Sequence, residues 1–191
     1  ANASYVAYFE QNNPANGTYL LGDDWGWATT NLKQMHANPD TQNEQMITAV
    51  PLSADAGIKV ICYTNENGAW HGASATTCDD EAVAAGYVTT GINGSNASIN
   101  KDGIYNIYVG TSANINWPYH FMPLRIKYNA NEGSGTMNSV FASKDGTAKV
   151  SNNLFTREGY NFIGWNTKED GTGTSYTDGQ TVKNLTNIDG Q

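Results

Sequence analysis

Residues suited to stacking and hydrogen bonding dominate the chemistry of this chain. Four of its five tryptophans, Trp25, Trp27, Trp70 and Trp117, fall in the first 120 residues. A sugar ring presents an apolar C–H face and a rim of hydroxyls, so a complementary surface needs flat, rigid aromatics and a few polar groups. Trp25 and Trp27 flank Gly26; on extended backbone their side chains would point the same way, about 7 Å apart. Lys59, Ile61 and Tyr63 alternate with Ile58, Val60 and Cys62. The second set reads as core, and the first offers a cation and a phenol on the opposite face. Trp70 follows the turn signal Asn65-Glu66-Asn67-Gly68 and precedes His71. Trp25, Trp27, Lys59, Tyr63, Trp70 and His71 are therefore the candidate carbohydrate-binding residues. Plainer readings stand beside them. Trp27 can plug the end of a sandwich, Lys59 can be a solvated strand lysine, and His71 can be an ordinary surface residue. Trp117 reads as packing at a junction, and Tyr105, Tyr108 and Trp165 as core or sheet residues.

Bond-breaking chemistry has little to stand on. The sequence lacks a Gly-x-Ser-x-Gly elbow, a phosphate loop and a dinucleotide fingerprint. Glycoside hydrolysis needs two carboxylates about 5–9 Å apart in a rigid cleft, and Asp23, Asp24 and Glu66 qualify only by lying beside aromatics. The expectation is a non-catalytic protein with no cofactor. His36, His71 and His120 are scattered, and neither they nor the two cysteines follow zinc-ligand spacing. Cys62 and Cys78 are either two free thiols or a disulfide around Trp70, which would stabilise by roughly 3 kcal/mol in the chain-entropy model. Asn2, Asn16, Asn93, Asn96 and Asn184 begin Asn-x-Ser/Thr triplets, most of them expected by chance in so Asn- and Thr-rich a chain.

Charge divides the elements that must position these residues. Residues 1–120 hold three lysines, no arginine and eleven acidic residues, whereas residues 121–191 hold seven of each sign. The net charge of −8 thus belongs to the first part. It argues against nucleic acid and against an anionic membrane surface. No apolar run is long enough to cross a bilayer, and Ala1-Asn2-Ala3-Ser4 lacks the character of a leader, so one would already have been removed. Short β-branched and aromatic runs predict strands at Tyr5–Phe9, Thr18–Leu21, Met46–Val50, Ile58–Tyr63, Gly86–Thr89 and Ile104–Val109, the pattern of an antiparallel β-sandwich. One or two helical turns are expected at 29–36 and 79–85. Asp79-Asp80-Glu81 reads as a helix N-terminus rather than a calcium site. Pro118 and Pro123 predict a semi-rigid connector over 117–123 with no regular ladder. Asp170-Gly171 predicts a tight turn.

The second part resembles the Listeria–Bacteroides cell-surface repeat, or internalin B-repeat. The resemblance rests on Lys127-Tyr128-Asn129-Ala130-Asn131-Glu132-Gly133, Gly135-Thr136-Met137, Phe155 to Tyr160, Phe162 to Thr167, Asp170 to Gly173, Tyr176, Asp178-Gly179 and Asn184-Leu185-Thr186. It implies a small ubiquitin-like β-grasp module over 121–191, in a bacterial, extracellular, multidomain protein. The family's closing strand would follow Asn184-Leu185-Thr186, and the sequence stops at Gln191 before it. The first part resembles bacterial starch-binding modules of the outer-membrane and amylopullulanase-associated types. That resemblance rests on Thr18 to Trp27, Met35, Asn43-Glu44, Val50-Pro51-Leu52, Ala54 to Gly57, Ile58 to Tyr63, Trp70 and Asp102 to Tyr108. It implies a carbohydrate-binding sandwich over 1–120. A longer insert than usual separates Trp70 from Asn100.

These readings converge on a mainly β, monomeric piece of a larger surface protein. Its partner would be an oligosaccharide or polysaccharide, α-1,4-glucan such as starch or maltooligosaccharide above others. Nucleic acid and membrane insertion are not expected. The alternative is an adhesion or spacer module that binds a protein or a different glycan.

Overall fold

A computed structural model describes residues 14–65, 67–89, 91 and 95–183. The expected strand at Tyr5–Phe9 lies outside them. The strands run β1 (Gly17–Gly22), β2 (Lys33–Gln34), β3 (His36–Ala37), β4 (Glu44–Leu52), β5 (Ile58–Thr64), β6 (Asn67–His71) and β7 (Ala73–Thr77). The helix α1 (Asp80–Ala84) follows, then β8 (Gly103–Gly110) and β9 (Trp117–Pro123). Short pairs complete the described chain: β10 (Arg125–Ile126), β11 (Val140–Phe141), β12 (Ala148–Lys149), β13 (Trp165–Asn166), β14 (Ser175–Tyr176) and β15 (Thr181–Val182). The fold is mainly β, as the alternation in the sequence implies.

Two sheets form the N-terminal sandwich, one ordered β2-β1-β5-β6 and the other β3-β4-β8-β9-β7. Their facing residues make one core: Leu20, Ile58 and Val60 against Val50, Leu52, Tyr105, Ile107, Val109, Trp117, Tyr119 and Phe121. Each such side chain stabilises by about 1.5–3 kcal/mol when fully buried. At both sides of the sandwich the chain passes from one sheet to the other, through Met35 between β2 and β3 and through Gly72 between β6 and β7. The helix expected over 29–36 is only a 3-10 turn at Thr29–Asn31 before this corner. Gly86–Thr89 is not a strand, although Val88 is fully buried. Asp79 does cap α1, accepting the Ala82 N–H at 3.1 Å.

The connector expected at 117–123 is instead an interior strand. β9 lies between β8 and β7 and buries Trp117, Tyr119 and Phe121. Its prolines are tolerated for local reasons. At Pro118 the parallel ladder to β7 skips a residue, from Ala73 to Ala75, and Pro123 ends the strand. Tyr119 also joins the two sheets. Its hydroxyl accepts the Val60 N–H at 2.8 Å and donates to the His71 carbonyl at 2.7 Å, and Val60 and His71 are paired neighbours in the opposite sheet.

Residues 125–183 fold as three two-stranded ladders, β10-β11, β12-β15 and β13-β14. They surround a small core of Ala148, Val150 and Val182 packed with Tyr128, Trp165 and Tyr176. Asp170-Gly171 makes the expected turn, closed by the Gly171 N–H to Lys168 carbonyl bond. This part packs on the sandwich. Ile104, Leu124 and Ala142 share a cluster, and Tyr87 stacks on Phe141 at 4.2 Å. The Arg125 guanidinium, 6% exposed, makes a two-point bond to Asp79 and an ion pair with Glu81. The acidic triplet of the first part thus grips the first arginine of the second. Burial alone would raise the Asp79 carboxyl, but the Arg125 hydrogen bonds, the Ala82 N–H and the nearby charges of Arg125 and Lys127 together hold the group below its ordinary value.

Candidate functional site

The outer face of the β2-β1-β5-β6 sheet carries the candidate site. Register places Tyr19, Ile61 and Trp70 in one row and Tyr63 opposite Gly68 in the next. Alternation along β5 puts Lys59, Ile61 and Tyr63 on this face, as the sequence implies. Ile61 and Tyr63 are nevertheless buried there, in a second cluster with Tyr19, Leu21 and Leu32. A side chain at Gly68 would press within 3.1 Å of the Tyr63 ring, so the bare glycine makes room for the phenol to lie down. Tyr63 is therefore support beneath the surface rather than part of it. Lys59 is half-buried on the same face and forms no ion pair among the described residues.

Two indoles rise from this floor. Trp70 projects from β6 and is 39% exposed; Trp27 is 36% exposed. Their ring centroids lie 6.3 Å apart with planes inclined by 51°. Trp27 comes from the turn after β1, where Gly26 at φ +86° bends the chain back so that Gly26 bridges Gly22. That bend overturns the extended geometry expected for Trp25-Gly26-Trp27. The two side chains diverge: Trp25 packs on the main core with the Lys33 ammonium 4.9 Å from its ring centre, while Trp27 turns to Trp70. Trp25, not Trp27, is the indole that packs on the sandwich core.

Asp23 fixes the exposed indole. One carboxylate oxygen accepts the Trp27 Nε1–H at 2.7 Å and the other accepts the Gly57 N–H at 2.7 Å. In the sequence Asp23 stands out as a carboxylate beside aromatics and as part of the Thr18-to-Trp27 motif, and its i, i+4 spacing to Trp27 is the signal for this anchoring role. His71 points the opposite way from Trp70, because neighbours on a strand alternate. It stacks on Trp117 with centroids 3.7 Å apart, and its Nδ1 lies 3.0 Å from the Ile115 carbonyl. His71 and Trp117 are thus mutual packing partners, neither a surface pair nor a junction.

Of the two alternatives for Cys62 and Cys78, a disulfide tether or free thiols, the structure has free thiols. Cys62 sits mid-β5, its Sγ 3.3 Å from the Thr18 hydroxyl, while Cys78 follows β7 of the other sheet. The Trp70 segment needs no such tether, being an edge strand hydrogen-bonded along its length to β5. Among the described residues, no group of three or more His, Cys, Asp or Glu side chains could hold a metal ion, and no helix is long and apolar enough to cross a membrane.

The second part carries a separate set of exposed apolar residues: Leu154, Tyr160, Phe162 and Ile163. Of the run from Tyr160 to Asn166, only Trp165 and Asn166 enter a ladder. Trp165 is held between Tyr128 and Phe162, with its indole N–H on Asp178 at 2.8 Å. Residues 125–189 match the Listeria-Bacteroides repeat domain. The match confirms the resemblance drawn for the second part and starts at the arginine that grips α1. The repeat lies wholly beyond β9, so the match covers none of the sandwich. No curated protein matches the chain.

Proposed function

We propose that the sandwich is a non-catalytic glycan-binding module, displayed outside a bacterial cell by a larger protein of which the repeat is one part. The observation that carries this reading is the Trp27–Trp70 pair, two exposed indoles 6.3 Å apart and inclined by 51° on a supported sheet face. Indole faces stack on the C–H faces of sugars, and rigid rings lose little entropy on binding. Platforms for a flat β-linked ribbon would be coplanar. Inclined platforms suit a chain whose successive rings turn, which is the habit of α-1,4-glucan. Lys59, on the same face, supplies a donor for hydroxyls.

Calorimetric titration of the full chain with maltoheptaose tests the proposal. Trp70→Ala should weaken binding about thirtyfold, the effect of losing a central aromatic worth ~2 kcal/mol. Unchanged affinity in a folded Trp70→Ala variant, or tighter binding to xylan or mannan than to starch in affinity gels, would overturn the assignment.

A further inference from the structure

The tryptophan turn begins with two adjacent carboxylates that have different partners. Asp23 holds the Trp27 indole and Gly57, as described. Asp24 turns to the other side. It accepts the Ser53 N–H at 2.7 Å and the Ser53 hydroxyl at 2.7 Å, and it pairs with the Lys144 ammonium, which also reaches the Ser53 hydroxyl. The Asp24 side chain is 11% exposed. Burial alone would raise its carboxyl, but the hydrogen bonds from Lys144 and Ser53 prevail and hold it below its ordinary value.

Lys144 does not belong to the sandwich. It sits in the turn between β11 and β12 of the repeat, and that turn is stiff. Asp145 accepts the Ser143 hydroxyl, the Thr147 hydroxyl and the Thr147 N–H, and Gly146 N–H closes back on the Ser143 carbonyl. A stiff turn of the second part therefore presents one cation to the residue next to the anchor of Trp27. Without it, Asp24 would keep Ser53 as its partner, and the turn carrying the indole would lose this ion pair to the repeat.

We propose that Lys144 is a positioning residue for the glycan site, through which the repeat braces the tryptophan turn. The inference rests on the glycan reading above. A turn left free to wander must be ordered when ligand binds, and that ordering lowers affinity. The repeat then acts as part of the binding device, beyond any role as a spacer.

The test is calorimetry of the full chain with maltoheptaose, alongside thermal unfolding of each variant. Lys144→Met, which keeps the aliphatic stem and removes the charge, should weaken binding about three- to tenfold with a less favourable binding entropy. Lys144→Arg should restore most of the affinity. A merely structural lysine would lower the unfolding midpoint and leave the affinity of the folded protein untouched, and that result would overturn the proposal. Trp70→Ala separates the two claims. If it weakens binding while Lys144→Met binds like the wild type, the brace is refuted and the site stands. If Trp70→Ala binds like the wild type, the site reading falls and the brace falls with it.

Discussion

The Tyr119 hydroxyl offers a sharp test of how the sandwich is held. Tyr119→Phe removes one oxygen from a fully buried ring and breaks two bonds, from the Val60 N–H and to the His71 carbonyl. Burial pushes the phenol far above its ordinary range, so it stays protonated and both donates and accepts wherever the protein is folded. Each buried backbone group left unpaired costs about 1–3 kcal/mol. Val60 and His71 are register partners, so β5 and β6 can close towards each other and recover part of that loss. The expected destabilisation is therefore about 2 kcal/mol, below the sum of two orphaned groups. Urea unfolding of wild type and Tyr119→Phe measures it, and the midpoint should fall with the slope unchanged. A loss under about 0.5 kcal/mol, within the ordinary range of surface substitutions, would refute the bridging role.

Two further outcomes follow from titration and thiol chemistry. Burial pushes the Cys62 thiol up, and burial followed by Asp79 pushes Cys78 up to about 11. Iodoacetamide should label the native protein slowly and both thiols fully after unfolding; a mass two hydrogens lower, with no labelling, would mean a Cys62–Cys78 bond. Burial depresses His71 and His120 below their ordinary 6.5, so the unfolded chain takes up protons first as pH falls through that value. Asp24 and Asp79 lie below 3.8, and their contribution is present above that pH and lost beneath it. The unfolding midpoint should thus decline in two stages, below about pH 6.5 and again below about pH 4, and a flat profile between pH 7 and 5 would contradict the lowered affinity of the half-buried histidines for protons.

Legibility in the sequence followed local pattern. β1, β4, β5 and β8 were readable because apolar residues alternate there between turn residues, and the inner set of β5 is core as expected. β9 was hidden because two prolines argue against a central strand, and the bulge that admits Pro118 lies in its partner β7. The pairing of Trp27 with Trp70 depends on the register of β5 against β6 and on the left-handed Gly26, which no single segment encodes. Tyr63 was misplaced for a related reason: alternation assigns a face, but only the neighbouring Gly68 and Leu32 decide whether that face is covered. The family of the repeat was legible, since its spacing of glycines, aromatics and asparagines is itself the signature, whereas its pairing into three short ladders was not.

The two corners at Met35 and Gly72 bear on behaviour in a crowd. A sheet edge with unpaired N–H and C=O groups is a template on which another chain can add a strand. Here each side of the sandwich ends in a strand that leaves its sheet within a few residues, two in β2 and β3 and five in β6 and β7. Within β7, Thr76 is also bridged to Gly91. Among the described residues of the sandwich, no outer strand runs longer than five residues before the chain turns away from its sheet, which limits the template it presents to a neighbouring copy.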